Sequence, residues 1–277
     1  MLRLIFAGCL VACSATPKAD RPLEFGGARP TDIKVPAGLG SGKTYPLLVV
    51  LHGYSTSGFV QSAYFGVSKI AATDDAFLLA PDGLVDSFGD EYWNADPLCC
   101  DKDHTGVDDS AYIGGLIDDV MAAYPEIDPS RVFVLGHSNG GFMAYRMACD
   151  RADVIASIGV FAGLASTTPC TPSRAVNVLH LHGTADQEVP FDMNGYGAVQ
   201  SVATWAGYDH CAATRTTAST VDLEMRIPGA ETTVSTADGC PSGTEIELWT
   251  IAGASHIPAW QPTFEPMLWA WFTAHHR

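Results

Sequence analysis

Positive charge is scarce in this chain of 277 residues. Lysine and arginine together number 15 against 31 aspartates and glutamates, which gives a formal net charge of −16 at pH 7. A surface with this balance repels phosphate backbones, so the composition argues against nucleic acid as a partner. The acidic residues are spread along the sequence rather than gathered in a tail, and we interpret them as solubilising surface charge.

Long apolar runs are also missing, and the sequence offers no segment able to span a bilayer. A short apolar run after Arg3, from Leu4 to Ala12, predicts a signal peptide over residues 1–12. Its end, "LVAC", resembles a bacterial lipobox in which Cys13 would be lipidated. Ordinary secretory cleavage nearby is the alternative. Either process predicts an exported protein, secreted or anchored at the bacterial cell envelope, with a lipid on Cys13 as its route to the membrane.

The eight cysteines include no C-x-x-C pair, so the sequence does not predict a zinc site or any other metal. In an oxidising compartment, the six cysteines outside the signal region are expected to form disulfides. Cys99 and Cys100 are adjacent, and an ordinary backbone does not let neighbours bridge easily. Each of these two is therefore expected to bond to a distant partner.

A nucleotide site is suggested by one stretch and then excluded by its context. "AGLGSGKT", residues 37–44, fits a relaxed Walker A pattern. A working P-loop follows a strand and opens a helix, whereas this stretch precedes an apolar strand and is followed by Tyr45-Pro46. The sequence therefore predicts a turn here, and no nucleotide or other cofactor.

Strand-like and helix-like segments alternate from Tyr45 onward. "PLLVVLHG" is a continuous apolar run, typical of a strand buried on both faces, and "VDDSAYIGGLIDDVMAAYP" begins with acids like a helix. This alternation predicts an α/β fold, with a mainly parallel central sheet and helices on both faces. We expect a leader over residues 13–30 and a single catalytic domain over residues 31–277.

The strongest chemical signal is "GHSNGG", which fits G-x-S-x-G at Gly136, Ser138 and Gly140. An apolar strand precedes it and a helical segment follows. A serine on such a turn is lifted out of the sheet edge, and the glycines remove side chains that would clash. The alternative is a glycine-rich turn with an ordinary surface serine. The context favours Ser138 as a nucleophile.

A nucleophilic serine needs a base, and the base needs an acid to orient it. Asp186 and His256 each follow an apolar strand closely. Their order in the chain, Ser, Asp, His, is the order expected when the serine lies on a sharp strand-to-helix turn, called a nucleophile elbow. We predict that they complete a triad. Other acids and histidines compete with them from nearby positions: Glu188, Asp192, His210, His275 and His276. His180 and His182 lie in or just after a buried strand and are interpreted as core or supporting residues.

Two backbone N–H groups are needed to hold the oxyanion that forms when a serine attacks an ester. One is expected from Asn139, directly after the nucleophile. The other is expected from Tyr54, in the loop after "LLVVLHG". The Tyr54 ring could also contact a substrate acyl group.

With these residues in place, the sequence resembles the secreted α/β-hydrolase esterases of the poly(3-hydroxybutyrate) depolymerase and feruloyl esterase group. The shared features, in chain order, are "LHGY", "PDG", "WN", "CC", "VDD", "GHSNGGFMAYRMAC", "HGTAD" and "SHIP". The resemblance covers roughly residues 45–277. It implies an α/β-hydrolase fold, a triad of Ser138, Asp186 and His256, no metal, and a disulfide between Cys211 and Cys240.

The resemblance also implies the reaction. The expected function is hydrolysis of feruloyl or acetyl esters of plant polysaccharide, or of polyhydroxyalkanoate-type polyesters, through an acyl-enzyme. Trp93 and Trp260 could stack on a substrate ring or could equally be packing residues. A serine peptidase of the same fold and a catalytically silent, polymer-binding lipoprotein are the two alternatives.

Overall fold

The structure is a computed structural model that describes residues 21–74, 76–97 and 99–277. The predicted signal peptide over residues 1–12 and the predicted lipidation site at Cys13 lie outside the described residues. Among the helices that are described, none combines the length and the apolar character needed to cross a membrane.

Strands and helices alternate along the chain, as the sequence predicts. The strands are β1 (Glu24–Phe25), β2 (Thr31–Lys34), β3 (Tyr45–Leu51), β4 (Phe77–Leu79), β5 (Leu84–Val85), β6 (Glu91–Tyr92), β7 (Ile127–His137), β8 (Ser157–Phe161), β9 (Asn177–Gly183), β10 (Asp192–Met193), β11 (Tyr196–Gly197), β12 (Arg215–Val221), β13 (Thr232–Ala237) and β14 (Ile246–Ile251). The helices are α1 (Gly58–Tyr64), α2 (Ile70–Thr73), α3 (Asp109–Ala123), α4 (Asn139–Asp150), α5 (Ala198–Tyr208) and α6 (Phe264–Ala274), with a short 3-10 turn at Val67–Lys69.

The main sheet has the strand order β1-β2-β4-β3-β7-β8-β9-β14-β13-β12 in the described part of the chain. Its six central strands, from β4 to β14, pair in parallel, and the outer strands on both sides pair antiparallel. The prediction of a mainly parallel sheet is confirmed. Because parallel strands share their carboxyl ends at one edge, the loops after β3, β7, β9 and β14 emerge together there.

Helices cover both faces of this sheet, as predicted. Along β3, Leu47 and Val49 pack into the core that α3, α4 and α5 cover. Leu48 and Val50, which alternate with these two residues along the strand, pack into the core that α6 covers. Successive strand residues point to opposite faces, so a strand apolar at every position is buried on both. The run "LLVVL" therefore indicated a central strand correctly.

The leader predicted for residues 13–30 is not separate from the sheet where the structure describes it. Glu24–Phe25 forms β1 and pairs with β2. The Tyr124 hydroxyl donates to the carbonyl of Pro22 at 2.8 Å. Two strand residues between Pro and Gly carry too weak a pattern to predict, so β1 could not be expected from the sequence. The domain boundary at residue 31 stays a prediction.

The disulfides match one expectation and contradict another. Cys211 is bonded to Cys240, as the resemblance implies, and Cys149 is bonded to Cys170. Cys99 and Cys100 are bonded to each other, so the expectation of distant partners is wrong. The peptide between them is cis, which brings their Cα atoms to 3.1 Å and lets adjacent side chains meet.

Candidate active site

A sharp turn joins β7 to α4 at Ser138. This residue has φ 51° and ψ −120°, a region that side-chain-bearing residues rarely occupy. A Cβ at Gly136 would collide with the carbonyl of Gly140, and a Cβ at Gly140 with the carbonyl of Leu51. The Ser138 N–H donates to the carbonyl of Phe161 at 2.8 Å and so ties the turn to β8. The glycines of G-x-S-x-G are thus required by close backbone approach.

Asn139 and Tyr54, the two predicted oxyanion donors, lie beside this turn. Asn139 is the first residue of α4, where a backbone N–H has no acceptor within the helix. Its side chain exchanges two hydrogen bonds with the backbone of Trp93, at 2.7 and 2.8 Å, which fixes its orientation. Tyr54 lines the same cavity as Ser138, and its N–H donates to no other described residue. Both N–H groups are therefore available to a ligand oxygen.

The Tyr54 side chain is held by charged neighbours. Its hydroxyl donates to Asp86 at 2.5 Å and lies 3.1 Å from an Asp90 oxygen. The Lys102 ammonium is 3.9 Å from the centre of the ring. Burial, followed by the two carboxylates, raises the pKa of Tyr54 above its ordinary value. The phenol therefore stays neutral and forms a fixed part of the cavity wall.

Asp186 and His256 meet at the carboxyl ends of two adjacent strands. Asp186 follows β9 and His256 follows β14, and these strands pair in parallel. His256 Nδ1 lies 2.7 Å from Asp186 Oδ2. The backbone N–H groups of Glu188 and Val189 donate to Asp186 Oδ1 at 2.9 and 3.0 Å. Both oxygens of the buried carboxylate are therefore occupied, and one of them holds the histidine ring.

Hydrogen bonding keeps Asp186 charged. Burial alone would raise its pKa, but hydrogen bonds from His182 and His256 outweigh this effect and place the pKa below the ordinary value. A carboxylate that stays ionised can hold Nδ1–H of the imidazole and leave Nε2 to act as a base. This is the arrangement that a triad requires.

His137, next to the serine, contacts the loop of His256. Its Nε2 lies 3.0 Å from the carbonyl of His256, and its ring stacks on Phe161 at 5.0 Å. Burial lowers the pKa of His137 to about 3, so the ring is neutral. A carbonyl only accepts, so Nε2 donates. The sequence motif did not reveal that this side chain ties the elbow to the histidine loop.

Ser138 and His256 line one cavity of about 340 Å³. Its walls include Tyr54, Tyr64 and Ile257. The Ser138 hydroxyl makes no hydrogen bond to any described residue. Nucleophile and base are often imperfectly aligned before substrate binds, and the contact tightens in the reacting complex.

Glu188 competes with Asp186 in the sequence, and the structure gives it a different place. Its side chain is 69% exposed, and one carboxylate oxygen lies 3.8 Å from His256 Nε2. It lines the cavity that contains Ser138. Asp186 instead contacts Nδ1 of the same ring. The position of Asp186 at the end of β9 therefore favoured it over Glu188 as the acid that contacts His256. That position did not indicate that Glu188 would face the cavity.

The other competing side chains lie apart from the cavity. Asp192 is exposed in the β10–β11 hairpin, where its Oδ1 accepts from the Gly195 N–H at 2.7 Å. His275 lies 3.2 Å from a carboxylate oxygen of Glu245, near the carboxyl end of α6. His210 and His276 are exposed as well.

Neither tryptophan predicted as a possible substrate contact lines the cavity. Trp93 has no exposed surface, and its indole N–H donates to the carbonyl of His52 at 3.1 Å. Trp260 stacks on Phe264, with ring centres 3.9 Å apart. A ligand cannot reach the fully buried ring of Trp93, so packing, the alternative left open by the sequence, explains this residue. Trp260 is partly buried, and its contact with a substrate stays a prediction.

One group of side chains has the composition of a metal site: His52, Asp82 and Glu91. His52 Nε2 accepts from the Gly83 N–H at 2.9 Å, so the ring hydrogen is on Nδ1 and faces the carbonyl of Gly53 at 2.7 Å. Neither nitrogen of this buried ring has a free lone pair. His52 therefore holds the backbone at Gly53 and Gly83, and the group does not fit a metal ion.

Comparison with known proteins gives a consistent result. The sequence profile of the family described as phospholipase/carboxylesterase matches residues 39–204, more than half of the chain. Feruloyl esterase B of Piromyces equi is 27% identical, over 81% of this chain and 42% of that protein. Poly(3-hydroxybutyrate) depolymerase of Ralstonia pickettii is 31% identical, over 42% of this chain and 25% of that protein. The chain spans less than half the length of either curated relative.

Among solved structures, the acetyl xylan esterase from Aspergillus awamori is similar in fold. The TM-score is 0.59, over 88% of this chain and 94% of that chain. Sequence identity is 18%, so the likeness concerns the arrangement of strands and helices.

Proposed function

Because the chain belongs to the phospholipase/carboxylesterase family and has the α/β-hydrolase fold, we propose that it hydrolyses carboxylic esters through Ser138. The observation that carries this proposal is the joint position of Ser138 and His256 in one cavity, with Asp186 at 2.7 Å from the far nitrogen of the histidine ring. The combination of a serine on a strained elbow, a base and a buried carboxylate is typical of enzymes that catalyse acyl transfer.

The mechanism follows from these roles. His256 Nε2 takes the hydroxyl proton as Ser138 attacks the ester carbonyl, and Asp186 stabilises the imidazolium. The N–H groups of Tyr54 and Asn139 hold the oxyanion. His256 returns the proton to the departing alcohol, which leaves an acyl group on the serine. Water, activated by the same histidine, then attacks the acyl-enzyme and releases the acid.

For the substrate, we propose a feruloyl or acetyl ester of plant polysaccharide. The name of the feruloyl esterase relative supports the first of these. The cavity walls of Tyr54, Tyr64, Val60 and Ile257 support an acyl group with a flat ring, because rings and branched apolar side chains pack well on such a group.

Polyhydroxyalkanoate-type polyester is the second candidate. Phe59 is 74% exposed and Ile257 is 55% exposed, the first next to a wall residue of the cavity and the second in the wall itself. Exposed apolar side chains at a cavity mouth favour contact with a water-insoluble aliphatic polymer. The name of the depolymerase relative points the same way.

A substrate panel separates these possibilities. We expect methyl ferulate to give a higher kcat/KM than acetylated xylan or a hydroxybutyrate oligomer. The highest value on the oligomer would assign the protein to polyesters. Turnover of a peptide amide in preference to every ester would favour the serine peptidase alternative, and no turnover of any substrate would favour the silent binding protein.

Glu188 is expected to set a preference for uncharged esters. A carboxylate near the base repels an anionic substrate by about 1 kcal/mol at 4 Å in water, which corresponds to about fivefold in rate. We expect Glu188→Gln to raise kcat/KM for 4-nitrophenyl hemisuccinate by about threefold to fivefold relative to 4-nitrophenyl acetate, and the gain to shrink with added salt.

Glu24→Gln is the matched control for this prediction. It removes one negative charge from an exposed position on β1, outside the cavity. The ratio of the two kcat/KM values should stay at the wild-type value in this variant. An unchanged ratio in Glu188→Gln would show that Glu188 plays no part in selecting substrate charge.

A further inference from the structure

A line of buried polar side chains runs from α4 to the loop of Asp186. The Tyr145 hydroxyl lies 2.8 Å from His180 Nδ1, and His180 Nε2 lies 3.1 Å from His182 Nδ1. His182 Nε2 then lies 2.7 Å from the carbonyl of Val189. Tyr145 is 2% exposed and both histidines are fully buried. The proposed reaction steps use none of these three side chains.

The position of the two histidines follows from strand geometry. His180 and His182 are two residues apart on β9, so their side chains point to the same face, and their rings lie nearly parallel at 10°. Leu179 and Leu181, which alternate with them, pack in the core on the opposite face. An apolar residue would suit a core position on β9 at lower cost than a buried imidazole. Two imidazoles there therefore call for a role beyond packing.

The hydrogen-bond partners fix where the hydrogens are. A carbonyl oxygen only accepts, so His182 Nε2 carries a hydrogen and donates to Val189. Burial lowers the pKa of His180, so its ring is neutral and carries one hydrogen. With His180 Nε2 donating to His182 Nδ1, the Tyr145 hydroxyl donates to His180 Nδ1. Every ring nitrogen is then satisfied, and the His182 ring is held in one orientation.

This orientation brings His182 to the carboxylate of Asp186. His182 Nε2 lies 3.4 Å from Asp186 Oδ2, the same oxygen that His256 Nδ1 approaches to 2.7 Å. The Val189 residue that accepts from His182 also donates its own N–H to Asp186 Oδ1. The His182 N–H therefore lies between the Asp186 carboxylate and the backbone of the turn that holds it.

We propose that His182 is a positioning residue for the catalytic triad: its Nε2–H holds the Asp186 carboxylate in the orientation that receives His256. The proposal rests on the proposed function. His180 and Tyr145 support it by occupying the other nitrogen of the His182 ring. His182 contacts neither the cavity nor the reacting atoms, so it acts on the rate through Asp186.

The test is a pair of amide substitutions that differ in reach. His182→Asn can still accept from His180 but is too short to reach Val189 and Asp186. His182→Gln can place an amide N–H near the position of Nε2. We expect Asn to lower kcat about tenfold, the equivalent of one lost hydrogen bond, with KM within about twofold. We expect Gln to retain kcat within about threefold of wild type.

Tyr145→Phe is the control for a purely structural effect. It removes one hydrogen bond from the same buried line and leaves the contact between His182 and Asp186 in place. It should lower the thermal unfolding midpoint and leave kcat within about twofold of wild type.

Equal kcat values in His182→Asn and His182→Gln, or a kcat loss in Tyr145→Phe as large as that in His182→Asn, would overturn the positioning role. Failure of both His182 variants to fold would also overturn it, and would assign the residue to stability. Failure of the proposed function is distinct from all of these outcomes, because the wild-type chain would then lack ester turnover.

Discussion

Replacement of Ser138 by alanine is expected to lower kcat for 4-nitrophenyl acetate by about 10⁴- to 10⁶-fold. Loss of the nucleophile removes the acyl-enzyme route, and the remaining oxyanion donors supply only a small residual rate. The fold should survive, because the Ser138 hydroxyl makes no hydrogen bond to a described residue. The thermal unfolding midpoint is expected within about 3 °C of wild type.

Ser138→Gly separates catalysis from stability more sharply. Glycine reaches the positive φ of this turn without side-chain strain, although it gives up more freedom on folding. We expect this variant to be as inactive as Ser138→Ala and more stable than it by roughly 1 kcal/mol. Near-normal turnover in either variant would contradict the assignment of the nucleophile.

Replacement of Asp186 by asparagine is the second large effect. We expect kcat to fall by about 10³- to 10⁴-fold. Asp186 Oδ2 faces a ring nitrogen of His256 at 2.7 Å and one of His182 at 3.4 Å, so it serves only as an acceptor. An amide placed there either offers an N–H to His256 Nδ1, which favours the wrong tautomer, or loses the charge that stabilises the imidazolium.

Asp192→Asn is the matched control, since Asp192 is the same residue type a few positions away. It is exposed in a hairpin and lies outside the cavity. Its substitution should leave kcat within about twofold of wild type. A loss of kcat as large as that in Asp186→Asn would contradict the assignment of Asp186 as the acid that orients His256.

The sequence predicted most of the candidate site because its residues sit where local rules are strong. At Gly136 and Gly140 the backbone of neighbouring residues leaves no room for a side chain, so only glycine fits. The motif "GHSNGG" was therefore enough to predict the elbow. Asp186 and His256 were predicted from the strands before them, whose carboxyl ends must share one edge of a parallel sheet. No such constraint acts on Glu188, and its sequence position did not indicate that it would line the cavity.

The fold was less predictable where tertiary contacts decide the outcome. Helix-like sequence continues past Tyr64, but α1 ends at that residue, and Gly66 with a φ of 79° interrupts the helix. The strands β12 and β13 extend the sheet with antiparallel pairs, and their threonine-rich sequences lack the apolar run that marked the central strands. The backbone of Trp93 is hydrogen-bonded to the side chain of Asn139, which is distant in sequence.

The contacts of His137 and His182 also lay beyond sequence reasoning. Each donates to a backbone carbonyl in a separate loop, and neither loop position follows from a local pattern. A histidine on a buried strand predicts only that some partner exists. Which partner it finds depends on how the loops after β9 and β14 fold over the sheet edge.

The central claim is that Ser138 is an activated nucleophile, and covalent labelling tests it most directly. The purified chain is treated with a fluorophosphonate probe, and the adduct is mapped by peptide mass spectrometry. We predict one adduct, on Ser138, that is absent from Ser138→Ala and forms much more slowly in Asp186→Asn. An adduct on another residue, or ester turnover that persists with Ser138 unlabelled, would contradict the account.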